Sequence, residues 1–90
     1  MSQQEAQTFA NDLPQWQLSD KHIERVYTFE GFRDAIAFVN RVADAAEQED
    51  HHPDIHIDYN RVKLVLWTKK IGGLSRNDFI LAAKCDSLAS

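Results

Sequence analysis

Between Gly31 and Glu49, apolar residues recur every three to four positions, at Phe32, Ile36, Val39, Val42 or Ala43, and Ala46. Arg33, Asn40, Asp44 and Glu47 take the other side, so this run predicts an amphipathic helix with one face committed to a core. It leads into a stretch of different character, Glu47-Gln48-Glu49-Asp50-His51-His52-Pro53-Asp54. Three of the four histidines fall at 51, 52 and 56, with carboxylates at 47, 49, 50 and 54 among them. Pro53 lacks an N–H and biases His52 towards extended geometry, so the helix is expected to stop here. Imidazole titrates near neutral pH. The strongest helix of the chain therefore delivers acid/base groups to a rigid corner, and the rest can be read as the scaffold that holds it.

The flanks supply that scaffold. Ser2 to about Leu13 reads as a short helix capped by Ser2 and ended by Pro14. Trp16 to Leu18 and His22 to Phe29 read as two strands around the polar turn Ser19-Asp20-Lys21. After Pro53, Ile55, Ile57 and Tyr59 alternate with His56 and Asp58. Val62, Leu64 and Leu66 then alternate with Lys63, Val65 and Trp67, which predicts a second hairpin turning at Asn60-Arg61, each strand with a buried face. Trp67 lies on the opposite face and reads as packing, with a pocket wall as the alternative. Gly72-Gly73 turns the chain. Ser75-Arg76-Asn77-Asp78 is a capping-box variant opening a last helix, with Phe79, Ile80, Ala83 and Leu88 as its core positions. The order α-β-β-α-β-β-α predicts an α+β fold, a four-stranded antiparallel sheet with three helices packed on one face.

Ninety residues make one domain, 1–90, and a core this small makes oligomerisation a reasonable expectation. The formal charge is −4 with acidic and basic residues interleaved, so no nucleic-acid footprint is expected. The single cysteine, Cys85, allows no intramolecular disulfide and suits a reducing cytosol; it reads as a small packed hydrophobe. Met1 to Glu5 has neither a basic start nor an apolar run, and no stretch approaches the ~20 apolar residues of a membrane span. A cytoplasmic protein without membrane association is expected.

The histidine corner admits three readings. Adjacent histidines often only solvate a helix C-terminus, where positive charge suits the dipole. As metal ligands, His52 and His56 are separated by Pro53, and His56 with Asp58 does not close a zinc site, so no metal is expected. Acid/base chemistry is the third. A small substrate would then lie between His51-His52 and the strand end Thr68-Lys69-Lys70, with the carboxylates tuning the imidazoles.

Three motifs favour the third reading: Glu47-x-x-Asp50-His51-His52-Pro53, then Tyr59-Asn60-x-Val62, then Leu66-x-Thr68-x-x-x-Gly73-Leu74-Ser75-x-x-Asp78. With Phe29, Phe32, Ala35, Phe38 and Val42, they resemble the pterin-4a-carbinolamine dehydratases, over about Trp16 to Leu88. The resemblance implies the same α+β fold and homodimers that extend the sheet, often paired into homotetramers. It implies loss of water from 4a-hydroxytetrahydropterin to give quinonoid dihydropterin, with no metal or organic cofactor. That step recycles the cofactor of aromatic amino acid hydroxylases, one of which could be a protein partner. By resemblance, His51 and His52 bind the pterin and move protons. Glu47, Asp50, Pro53, Thr68, Lys70 and Asp78 form the substrate-binding set.

One position departs from the family. Its third histidine, directly after Thr68, is Lys69 here. A lysine of ordinary pKa, about 10.4, can donate a proton or hydrogen bond but cannot accept a proton at neutral pH. Lys69 is thus expected to act as an electrostatic acid while His51 or His52 serves as base. The alternative is a catalytically weak dehydratase-like protein that acts as a binding or assembly cofactor.

Overall fold

The computed structural model describes residues 1–89 and begins with a capped helix; Ser90, the last residue of the expected domain, lies outside the described residues. Ser2 Oγ accepts the Glu5 amide, and Glu5 Oε1 accepts the Ser2 amide, each at 3.1 Å. This pair satisfies two donors that a helix start leaves unbonded. The helix, α1 (Gln3–Ala10), ends before the expected Leu13. Asn11 and Asp12 favour turns over helix, and Pro14 disfavours helical geometry at Leu13. Two successive turns, Leu13 N to Ala10 O and Trp16 N to Leu13 O, then carry Leu13 and Trp16 into the core.

The remaining elements are β1 (Gln17–Leu18), β2 (Ile23–Thr28), α2 (Phe32–Glu49), β3 (Asp54–Asp58), β4 (Arg61–Leu66) and α3 (Arg76–Leu88). The expected α+β order holds. The sheet is antiparallel in the order β1-β2-β4-β3, so the two hairpins join through the β2–β4 pair, with β1 and β3 as edges. Pairing of Ile23 with Leu66, Arg25 with Leu64 and Tyr27 with Val62 sets the inner face. The helices cover that face. Phe38 on α2 packs between Tyr27 and Phe29, with ring centroids 4.7 and 5.1 Å away. Phe9 of α1 stacks on Phe79 of α3 at 5.3 Å.

Several details differ from the sequence expectation. On α2 the buried stripe is Ala35, Phe38, Val42 and Ala46, whereas Phe32 is 51% exposed and Ile36 only half-buried. The helix carries two neighbouring apolar rows, and the row that places Phe38 among the sheet aromatics takes the core. On α3 the core is Phe79, Leu81, Ala82 and Cys85, with Ile80 and Ala83 outside and Leu88 packed at its margin. β3 is an edge strand, so its expected buried face is incomplete: Ile55 is half-buried, and Ile57 and Tyr59 are exposed. The hairpin turns at Tyr59-Asn60 rather than Asn60-Arg61, because Tyr59 takes φ +52° and Arg61 already pairs with Asp58. Asn60 fastens this turn to the end of β2, donating from Nδ2 to Phe29 O at 2.9 Å.

Buried groups make stability depend on alkaline pH. Burial, helped by the neighbouring Asp86 charge, pushes the Cys85 thiol up to about 12. Burial also raises the Tyr27 phenol, and its hydrogen bond to Asp86 adds to this. Both groups are neutral in the fold, while in the unfolded chain they ionise near ~8.5 and ~10. Their stabilisation is complete below those values and is lost as pH rises towards the folded pKa. The expected slope is about 1.4 kcal/mol per pH unit for each group. Urea midpoints measured from pH 8 to 11 should fall in this way. In Cys85→Ala the decline should begin only as tyrosine ionises.

Candidate active site

The histidine corner is set by the end of α2. Asp50 has φ +50°, the left-handed conformation that Asp and Asn enter more readily than most residues. Its amide bonds Glu47 O at 3.3 Å, and the His51 amide reaches back to Ala46 O at 3.0 Å. These bonds satisfy carbonyls of the last turn and redirect the chain. The helix is therefore ended by this turn, three residues before Pro53. The helix ends at Glu49, where the sequence places its end, but this turn is the stop and Pro53 only begins the extended approach to β3.

His51 turns inwards from this corner. Its Nε2 lies 2.5 Å from Oδ1 of Asp78, which is fully buried on the first turn of α3. The other Asp78 oxygen accepts from Thr68 Oγ1 and from the Ser75 amide, each at 2.9 Å, and Thr68 Oγ1 is also 2.6 Å from Ser75 Oγ. Asp78 thus caps α3 and joins its start to the segments that follow α2 and β4 at one carboxylate. A proton on His51 Nε2, facing Asp78, leaves the Nδ1 lone pair free to accept another. Thr68 is held in place by a small closed loop. Its amide donates to Gly73 O at 2.8 Å, and Gly72 supplies the φ +64° that the turn requires.

His52 faces outwards. Its Nε2 sits 2.5 Å from Glu47 Oε2, and both side chains are largely exposed. Lys69 lies on the opposite side, its Nζ 3.3 Å from Asp54 Oδ1 and 5.6 Å above the Trp67 ring. The second Asp54 oxygen accepts the Trp67 indole N–H at 3.3 Å. Burial alone would raise the Asp54 carboxyl, but bonds from Trp67 and Lys69, with the lysine charge, hold it below the usual carboxylate range.

These groups surround a cleft of about 330 Å³ lined by Asp50, His51, His52, Trp67, Thr68, Lys69, Lys70 and Asn77. Of the residues marked in the sequence, His51, His52, Lys69, Asp50, Thr68 and Lys70 meet here. Asp78 lies buried beneath the lining, Glu47 reaches the site through His52, and Pro53 stands outside the lining. Trp67 takes the pocket-wall alternative. Asn77 was missed, and Asp54 was marked only as one carboxylate of the corner, without its partners Trp67 and Lys69. Asn77 could have been found from its place one residue before Asp78 in the capping box, whereas nothing in the strand pattern marks Asp54. Among the described residues, no three His, Cys, Asp or Glu side chains are grouped to hold a metal, and no helix is long and apolar enough to cross a membrane.

Fold and cleft together define an α+β protein with a polar, histidine-lined site between its central helix and the end of its sheet. The chain belongs to the pterin 4 alpha carbinolamine dehydratase family, whose model matches residues 1–88. Curated relatives carrying the family name include one from Marinobacter nauticus, 48% identical over 88 residues, covering 93% of this chain and 79% of the relative. One from Acidobacterium capsulatum is 53% identical over 78 residues, covering 87% and 85%. The crystal structure of a transcriptional coactivator/pterin dehydratase from Brucella melitensis superposes with a TM-score of 0.95 at 30% identity, covering 100% of this chain and 98% of that one. A pterin dehydratase-like protein identified as a RuBisCO assembly factor in the alpha-carboxysome shares the fold, with a TM-score of 0.70 at 21% identity over 83% and 87% of the chains.

Proposed function

We propose that this chain is a hydro-lyase that removes water from a 4a-hydroxytetrahydropterin, giving the quinonoid dihydropterin, in recycling of the pterin cofactor. The observation that carries this reading is the His51–Asp78 pair, an imidazole on the cleft wall backed by a buried carboxylate. The reaction needs one group to protonate the departing 4a-hydroxyl and another to take a ring-nitrogen proton, and it releases one water. His51, oriented by Asp78, serves as the base through Nδ1. Lys69 or His52 donates towards the hydroxyl. Trp67 lines the cleft beneath the Lys69 ammonium, and Asp50, Thr68, Lys70 and Asn77 offer polar contacts. The working form is a cytoplasmic homodimer or homotetramer. The exposed apolar side of α2 around Phe32 and Ile36, together with the edge strand β3, fits such an assembly.

Lys69 favours a second reading, a dehydratase-like protein that binds a partner and catalyses little. A dehydration assay with freshly generated 4a-hydroxytetrahydropterin separates the two. Under the enzyme reading the wild type exceeds the buffer rate, and His51→Ala lowers its turnover ~10²–10⁴-fold. If the wild type matches buffer and only Lys69→His turns over, the binding reading stands instead.

A further inference from the structure

We infer that Asp54 is a positioning residue that fixes the Lys69 ammonium and the Trp67 indole as one donor-bearing wall of the cleft. This rests on the dehydratase reading of the site and extends it. An exposed lysine has several rotatable bonds and carries ~2 kcal/mol of side-chain entropy, so a free one presents its charge in no fixed place. Here Asp54 restrains it. One carboxylate oxygen takes Lys69 Nζ at 3.3 Å and the other takes Trp67 Nε1 at 3.3 Å, while the ammonium lies over the Trp67 face. Asp54 is the first residue of β3 and pairs with Val65 of β4, two residues before Trp67. It also follows His52 by two residues, so the lysine wall begins where the chain leaves the histidine corner. An ammonium donates and never accepts, whereas the imidazoles can do either. The cleft is thereby polarised: hydrogen-bond donation is fixed on the Lys69 side, and proton acceptance falls to the His51 side. A ligand should bind with its departing oxygen towards Lys69.

Asp54→Asn tests this, because an amide oxygen can still accept the Trp67 N–H but no longer holds the ammonium by charge. The expected result in the dehydration assay is a fall in kcat of about tenfold, with KM changed by less than about twofold. In the Lys69→His background the same substitution should cost less than about twofold, since no ammonium remains to be placed. Asp54→Glu should recover part of the lost rate. Unchanged kcat in Asp54→Asn, or an equal loss in both backgrounds, overturns the inference. A second readout needs no turnover. The ¹H–¹⁵N signal of the Lys69 ammonium, assigned by its loss in Lys69→His, should be present in wild type and absent in Asp54→Asn. A wild type without activity sinks the dehydratase reading, and the ammonium signal still decides the role of Asp54: persistence in Asp54→Asn refutes it, and disappearance supports it.

Discussion

Asp78→Ala is expected to remove both activity and a large part of the stability. The buried carboxylate accepts from Thr68 Oγ1 and the Ser75 amide and faces His51 Nε2. Alanine takes this acceptor from His51 Nε2 and the Ser75 amide and leaves Thr68 Oγ1 only Ser75 Oγ, at a place largely closed to solvent. Stranding buried polar groups costs about 1–3 kcal/mol each, and loss of a cap is typically ~1 kcal/mol. A total near ~3 kcal/mol is expected, read as a lower urea midpoint with an unchanged slope. Dehydration should fall ~10²–10⁴-fold in the fraction still folded, because His51 loses the partner that fixes its tautomer. Ser75→Ala separates the two effects, since it leaves the His51–Asp78 contact and the Ser75 amide in place. It should lower stability by about 1 kcal/mol and spare most of the activity. An Asp78→Ala protein within ~1 kcal/mol of wild type would show that this carboxylate does not tie the three segments together.

The second large effect belongs to Asp86, about two turns further along α3. Its carboxylate accepts from Trp16 Nε1 at 3.0 Å, from Arg25 Nη1 at 2.8 Å and from the Tyr27 hydroxyl. The Arg25 guanidinium also lies over the Tyr27 ring, 4.2 Å from its centroid. One side chain of α3 thus secures β2 and the turn that enters β1. Asp86→Ala should cost about 3 kcal/mol and lower the melting temperature by more than roughly 10 °C in a domain this small. Asp86→Asn keeps one acceptor and should lose about half as much. Activity per folded molecule should be unaffected, because none of these residues lines the cleft. Near-ultraviolet circular dichroism, sensitive to Trp16 and Tyr27, provides the local readout. A full loss of stability without a change at these aromatics would place the role of Asp86 elsewhere.

Much of this was legible in the residues. The α-β-β-α-β-β-α order follows from hydrophobic periods of 3.6 and 2, and the meeting of His51, His52, Thr68 and Lys69 was implied by the family resemblance. What stayed hidden depended on choices that local pattern leaves open. Two apolar rows run side by side on α2, and only packing against Tyr27 and Phe29 selects the one containing Phe38. The hairpin partner of β3 was legible, but that no strand lies on its other side cannot be read from its own alternation, so its exposed edge and the outward Ile57 and Tyr59 were missed. The end of α2 was legible but its cause was not: Pro53 was the obvious stop, and an aspartate that turns the chain in the left-handed region leaves no mark on hydrophobicity. Asp54 read as one more acidic residue in the corner; its role depends on Trp67 and Lys69, which arrive from the far end of β4.

The left-handed turn at Asp50 also bears on the order in which the site assembles during folding. The bonds that shape it, and the His52–Glu47 contact, span five residues or fewer, so they can form with α2 alone at little loop-closure cost. The His51–Asp78 contact spans 27 residues and waits for the second hairpin and α3 to dock. Of two adjacent histidines, one takes its place with local helix formation and the other only with the complete tertiary structure. Return of activity during refolding therefore marks the docking of α3 and follows the recovery of helical signal.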